Sequence, residues 1–256
     1  MINPKLKVKD LVFGYDGNKI FNGIDIEMNG GFISILGPNG SGKSTFLKLI
    51  TGLLSAESGG IEINNKKLKN IDSNEKAKIF TVINQKQEAV FPFTCIESVS
   101  LGRYPYRKNI NSLTSEDYEI VIKAMEDTDV LKFKDRLITD ISGGEQQRVL
   151  LAAALAQDTE IIFLDEAFSA LDISNKANMI KYLRKKIEEK NIMVISVMHD
   201  INIAYRYSDK VCLIDNGQII GYGDPKEVMT LASMKDVFKV DLELVEDKGF
   251  FININE

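Results

Sequence analysis

Phe32-Ile-Ser-Ile-Leu36 runs directly into Gly37-Pro38-Asn39-Gly40-Ser41-Gly42-Lys43-Ser44-Thr45, and this stretch decides how the chain folds. The first five residues are a short apolar run, the pattern of a strand buried in a parallel sheet. The nine that follow match the P-loop pattern: a glycine, four free positions, then Gly-Lys-Ser. The glycines let consecutive backbone N–H groups turn inward as a concave nest for an anion. The helix they open, expected from about Gly42 to Leu54, points its positive dipole end at the same place. Lys43 supplies a point charge for the β- and γ-phosphates of a nucleotide, and the Ser44 hydroxyl can ligate Mg²⁺. The bland alternative is a glycine turn that merely caps a helix. Four fixed positions of this kind arise by chance in roughly one chain in a hundred of this length, and strand–loop–helix placement lowers that further.

Outward from the loop, the first forty residues read as strands. Leu6, Val8 and then Leu11-Val12-Phe13 precede an Asp16-Gly17 turn, and Ile20, Phe21, Ile24 and Ile26 follow it. Ile61-Glu-Ile63 with Asn64-Asn65 reads as a second hairpin. From about Ile96 to Ala156 the periodicity is mostly helical. Beyond it, strand-like runs (Ile161 to Leu164, Ile192 to Val197, Val211 to Ile214) alternate with helical stretches, the signature of a parallel α/β sheet. Leu242 to Ile254 alternates around Asp247-Lys248-Gly249 and reads as a terminal hairpin. No repeat or low-complexity linker divides the chain.

Composition sets the class. The 256 residues suffice for a substantial core, and 44% apolar with 27% charged residues excludes a disordered or fibrous chain. Thirty-two basic against 37 acidic residues give a net charge of −5, the wrong balance for bulk attraction to nucleic acid. Cys95 and Cys212 cannot build a disulfide framework and read as packed, reduced thiols. No signal peptide is expected, and no run approaches the ~20 apolar residues of a spanning helix.

Two further stretches carry chemistry. Ile161-Ile-Phe-Leu164 is a buried strand running into Asp165-Glu166. An aspartate there can hold Mg²⁺, and the following glutamate can orient or deprotonate an attacking water. Ile141-Ser142-Gly143-Gly144-Glu145-Gln146-Gln147-Arg148 opens a helical run with a serine and two glycines, a second anion-binding device at a helix N-terminus. A chain needs only one P-loop per nucleotide, so the second device suggests an ATP held between two subunits.

With these motifs in this order, the sequence resembles the ATP-binding subunits of ABC transporters over nearly its whole length. The fold this implies is the α/β P-loop ABC ATPase cassette. It has a RecA-like parallel-sheet core (about 1–85 and 160–235), antiparallel N-terminal strands, a helical subdomain (about 86–159) and a C-terminal hairpin (about 236–256). The resemblance assigns Tyr15 to stacking on adenine, and Gly37, Pro38, Asn39, Gly40, Ser41, Gly42, Lys43, Ser44 and Thr45 to Walker A. Gln85 becomes the Q-loop glutamine that meets the metal, the attacking water and the membrane subunit. Ser142, Gly143, Gly144 and Glu145 become the signature that closes over the partner's ATP. Asp165 and Glu166 take the Walker B and catalytic-glutamate roles, and Asp172 lies in the D-loop. His199, the only histidine, becomes the switch residue at the γ-phosphate. It follows a core strand, where ligands of open α/β sheets collect.

Ile141 stands where the family usually has leucine, a near-isosteric change. Glu145 stands where glutamine is commonest. An acid in the first turn suits the helix dipole, yet it would repel phosphate if it faced ATP, and it reads as tolerated.

The resemblance further implies ATP and Mg²⁺ as cofactors, a homodimer of ATPase subunits, integral-membrane permease subunits and, indirectly, a substrate-binding protein. It places the chain at the cytoplasmic face of the membrane. Phe93 to Tyr106, with its Leu101-Gly-Arg-Tyr-Pro105 stretch, is similar to the ATPases of iron–siderophore, haem and cobalamin importers. Arg103, Arg107 and Lys108 read alternatively as a charge cluster facing water, and the run from Arg184 to Lys190 reads outright as an exposed helix face with mixed charges. An importer for simple metal ions and a soluble ATP switch acting on nucleic acid or ribosome remain as rivals.

Overall fold

The computed structural model describes residues 3–84, 92–107, 113–169, 172–245 and 249–253. In chain order, β1 (Lys5–Tyr15), β2 (Asn18–Asn29) and β3 (Gly31–Leu36) lead into helix α1 (Lys43–Ile50), and β4 (Ser58–Ile63) and β5 (Lys66–Lys67) follow. Next come α2 (Ser73–Ile79), β6 (Phe80–Asn84), α3 (Cys95–Ser100), a 3-10 segment at Leu101–Tyr106, α4 (Ser115–Asp127), α5 (Gly143–Ala156) and β7 (Ile161–Asp165). The chain continues through α6 (Ile173–Lys190), β8 (Met193–Val197), α7 (Ile201–Tyr207), β9 (Lys210–Asp215), β10 (Gln218–Gly223), α8 (Pro225–Val228) and α9 (Leu231–Phe238), closing with β11 (Leu242–Val245) and β12 (Gly249–Ile252). It divides into two compact units, residues 1–71 with 187–256, and residues 72–186.

In the first unit, β3 pairs in parallel with β8 on one side and β9 on the other, and β10 extends the sheet antiparallel to β9. Five of the six β3 residues are buried, as a strand covered on both faces requires. A second, antiparallel sheet has the order β2-β1-β4-β5. In β1 the inward set changes parity, from Leu6 and Val8 to Leu11 and Phe13. A bulge at Lys9–Asp10, with Asp10 at φ 47°, absorbs the extra residue. Asp16–Gly17 and Asn64–Asn65 both have positive φ at two central residues, the turn geometry that matches strand twist in a tight hairpin.

The second unit sets the parallel pair β6 and β7, in register from Phe80↔Ile161 to Asn84↔Asp165, with α2 to α6 and their connecting segments. Helices α3, α4 and α5 each begin with a reciprocal capping box: Thr94 with Glu97, Thr114 with Asp117 and Ser142 with Glu145.

The P-loop helix is shorter than expected, ending at Ile50 rather than near Leu54. Gly52 sits at φ 75°, and the N–H groups of Leu53 and Leu54 turn back to the Lys48 carbonyl. A left-handed glycine just past a helix satisfies the last carbonyls and stops it. Both cysteines are buried free thiols, and burial pushes Cys212 up to about 12. Among the described residues no helix is long and apolar enough to cross a membrane.

Candidate nucleotide site

The loop between β3 and α1 is built for a group it does not itself contain. Gly37 has φ 154°, and a Cβ there would lie 2.0 Å from the Ile214 carbonyl oxygen and 2.7 Å from Ser41 Oγ. Gly42 has φ 106°, with the Phe21 ring 2.9 Å from where a Cβ would stand. The loop is thus clasped between β2 and the end of β9, and the Gly217 N–H donates to the Ser41 carbonyl from the β9–β10 turn. Lys43 is 5% exposed, and its Nζ donates to the carbonyls of Gly37 and Pro38 at 2.9 Å each. Among the described residues, Ser41 Oγ is buried without a hydrogen-bond partner. Among the described residues, the N–H groups of Asn39, Gly40 and Gly42 likewise find no acceptor. An orphaned buried hydroxyl, free amides and a buried ammonium gathered at a helix N-terminus fit a phosphate chain.

The same unit places His199 at this edge of the sheet. Strands β3 and β8 run in parallel with Ile35 opposite Val197, and the Met198 N–H donates to the Ile35 carbonyl at 3.3 Å. Gly37 and His199 therefore leave neighbouring strands at the same end. His199 is exposed, and Asp200 beside it caps α7 by accepting from the N–H groups of Asn202 and Ile203. Tyr15 ends β1 in the same unit, 43% exposed, with its ring edge-on to Phe13 at 4.9 Å.

The second unit carries Asp165, Glu166 and the Ser142-Gly143-Gly144 stretch. Asp165 ends β7 opposite Asn84, and Glu166 follows in the left-handed region at φ 53°. Its carbonyl accepts from Ser169 N–H at 3.0 Å and Ser169 Oγ at 2.7 Å, which fixes the turn. Asp172 caps α6, its Oδ1 accepting from the Asn175 N–H at 2.8 Å. Gln85, expected one residue past β6, lies outside the described residues. A Mg²⁺ ion beside nucleotide phosphates needs only one or two carboxylates. Asp165 in this unit and the Ser44 hydroxyl in the first are each donors of the kind such an ion takes, and no cluster of three acidic, histidine or cysteine ligands exists among the described residues.

Ser142, Gly143 and Gly144 are exposed at the start of α5. Glu145 reaches back to them, its Oε2 accepting from the Ser142 N–H at 2.8 Å and from Ser142 Oγ at 2.7 Å. The Ser142 hydroxyl first, and its backbone N–H second, hold the Glu145 carboxyl below the usual glutamate range. The glutamate that departs from the commonest family residue therefore works as a helix cap.

Sequence reading missed Gly217, the contact of Ile214 with the loop, and the pairing of Arg103 with Asp117. Asn216-Gly217 is a tight-turn dipeptide, with φ 46° and 71°, and that signal was available. The alternative reading of Arg103 as a solvated charge is overturned: the residue is 6% exposed and its Nε donates to Asp117 Oδ1 at 2.8 Å.

A glycine-clasped phosphate loop between a parallel strand and a helix defines a P-loop nucleotide-binding α/β protein. Comparison with known proteins narrows this. The family model described as ABC transporter matches residues 21–169, and the chain belongs to that family. It is 37% identical over 224 residues to the petrobactin import ATP-binding protein FatE of Bacillus anthracis, covering 87% of this chain and 89% of that one. It is 34% identical over 250 residues to the hemin import ATP-binding protein HmuV of Escherichia coli O157:H7, covering 94% and 95%. Its structure matches the ATP-binding cassette MJ0796, solved as a dimer in a post-hydrolysis state bound to ADP and Pi. That match has a TM-score of 0.76 at 26% identity and covers 86% of this chain and 99% of that one. The fold is thus the ABC ATPase cassette.

Proposed function

We propose that this chain is the ATP-hydrolysing subunit of an ABC importer that takes up an iron chelate (a siderophore), haem or a cobalamin-like ligand through a separate permease. Near-full-length likeness to importer ATP-binding proteins for petrobactin and hemin carries the reading. The Leu101-Gly-Arg-Tyr-Pro105 stretch supports it. The chain works as a homodimer at the cytoplasmic face of the membrane, held there by its permease, and a substrate-binding protein delivers the ligand on the other side. The acidic net charge disfavours nucleic acid as a partner.

The ATP phosphates lie on the amides of the loop, and Lys43 exchanges the Gly37 and Pro38 carbonyls for the β- and γ-phosphate oxygens. Ser41 Oγ gains the acceptor it lacks among the described residues. Tyr15 stacks on adenine. Ser44, Asp165 and Gln85 are the residues that would hold Mg²⁺, which when bound neutralises charge on the β- and γ-oxygens. Glu166 orients the attacking water and accepts its proton as ADP leaves the γ-phosphorus. Gln85 and His199 position that water and the γ-phosphate. Ser142, Gly143 and Gly144 meet the ATP of the partner copy, with Asp172 beside them, while Glu145 holds Ser142 from within the capping box. Hydrolysis can drive transport only if ATP binds the closed dimer better than the open one.

The test uses Glu166→Gln, which keeps ATP bound while slowing turnover. The tagged variant is loaded with ATP and Mg²⁺ in solubilised native membranes, and its companions are identified by mass spectrometry. A polytopic permease is expected. Recovery of only soluble or nucleic-acid-associated proteins would remove transport from the assignment.

A further inference from the structure

Between Leu101 and Tyr104, 51% and 61% exposed, the chain buries a charge. The Arg103 guanidinium forks: Nε donates to Asp117 Oδ1 on α4 at 2.8 Å, and Nη1 donates to the Ala156 carbonyl, at the end of α5, at 2.9 Å. Its third contact is the Tyr106 ring, 4.1 Å from the guanidinium carbon. Asp117 is itself held by Thr114, whose N–H and hydroxyl donate to Oδ2 at 3.1 and 2.8 Å. The backbone of the 3-10 segment lies directly on the last turn of α5, since a Cβ on Gly102 would stand 2.1 Å from the Ala153 carbonyl oxygen.

One residue beyond α5, Gln157 ties the same helix end to the sheet. Its Nε2 donates to the carbonyls of Ala77 at 2.6 Å and Phe80 at 3.2 Å. Phe80 begins β6, which pairs in register with β7 as far as Asp165. At the opposite end of α5, fourteen residues or ~21 Å away, stands the signature serine Ser142.

A buried ion pair adds little net stability over an apolar pair of the same shape. What an arginine adds is geometry, because its planar fork satisfies two acceptors in fixed directions and a lysine cannot. We propose that Arg103, with Gln157, is a positioning residue that makes α5 a rigid lever. A load on the exposed face at Leu101 and Tyr104 passes through the Arg103–Ala156 bond into α5, and so to Ser142 at one end and the β6–β7 pair at the other. The proposal rests on the importer reading, which supplies the permease as the load.

The test measures ATP hydrolysis by the chain alone and with its co-purified permease in lipid nanodiscs, and takes the ratio as the stimulation factor. Arg103→Lys keeps a cation for Asp117 and loses the fork. It should cut stimulation by roughly fivefold or more, the lower end of ordinary coupling energies, while hydrolysis by the chain alone stays near wild type. Asp117→Asn keeps the bond to Ala156. It should lower the thermal midpoint and retain stimulation. Wild-type stimulation in Arg103→Lys would overturn the lever. So would equal losses in Asp117→Asn and Arg103→Lys, or a fall in Arg103→Lys of both rates together, since general destabilisation explains either. A wild-type chain that its permease does not stimulate overturns the importer reading, and the lever with it.

Discussion

Gly37 and Glu166 both hold backbone conformations that side chains disfavour, and their consequences differ. At Gly37 the obstacle is outside the residue, since a Cβ would stand 2.0 Å from a carbonyl oxygen of β9. Gly37→Ala must push loop and strand apart, at a cost of about 1–3 kcal/mol by the standard of overpacked sites. Urea denaturation should show that loss, and ATP affinity should fall with it, because the amides no longer converge. At Glu166 the obstacle is internal, a non-glycine residue at φ 53° at the end of β7. Holding such a residue in the left-handed region costs about 1–2 kcal/mol. Glu166→Gly should therefore be more stable than Glu166→Ala by about that amount, although neither retains a carboxylate. Equal stabilities would mean the turn does not strain the residue. Glu166→Gln should bind ATP and turn over about 10²–10⁴ times more slowly, the usual loss on removing a positioned base. Single-turnover kinetics with the variant would check it.

At the scale of elements, the signature helix depends on a carboxylate at its start. Glu145 accepts two hydrogen bonds from Ser142, which hold its folded pKa below the ordinary value. A depressed acid stabilises the fold above its unfolded pKa, near 4.3, and loses that contribution as pH falls through the folded value. Stability should thus decline from about pH 5 downward more steeply in wild type than in Glu145→Gln. Chemical denaturation at a series of acid pH values measures the difference, and parallel curves would remove Glu145 from the box.

How far such elements can be read in advance follows from what makes them. The P-loop and the Asp165-Glu166 strand were legible because their chemistry is local: consecutive amides, a strand end, an adjacent acid. The Asp16–Gly17 hairpin was legible for the same reason. The capping boxes were available as Ser/Thr followed three residues later by an acid, and the stop of α1 as Thr51-Gly52. Arg103 was not legible. Its burial depends on Asp117, fourteen residues away, and on a carbonyl of a helix more than fifty residues along. No period or motif connects the three. Gly37 was readable as part of the loop, while its clasp by Ile214 is visible only once β9 lies beside β3.

At the scale of the whole molecule, the glycines of the signature are unexplained by the chain that carries them. Beyond its own helix backbone, a Cβ on Gly143 or Gly144 would meet nothing within 4 Å among the described residues, and neither residue has positive φ. Glycine within a helix costs about 0.5–1 kcal/mol relative to alanine, so the monomer alone would be better served by alanine at both positions. Room kept at that expense on an exposed helix end makes sense when another molecule approaches the backbone there. The homodimer reading supplies one, the ATP on the partner's P-loop. Gly144→Ala should raise the stability of the isolated chain by several tenths of a kcal/mol and leave its own ATP binding unchanged. It should also weaken ATP-dependent dimerisation of the Glu166→Gln background, as followed by sedimentation. Ser142→Arg, with a far larger group, should block that dimer altogether. Dimerisation undiminished in both variants would mean that the serine and glycines of α5 do not face a second nucleotide. The trans arrangement would then have to be abandoned, with the phosphate loop, and ATP binding by the single chain, left standing.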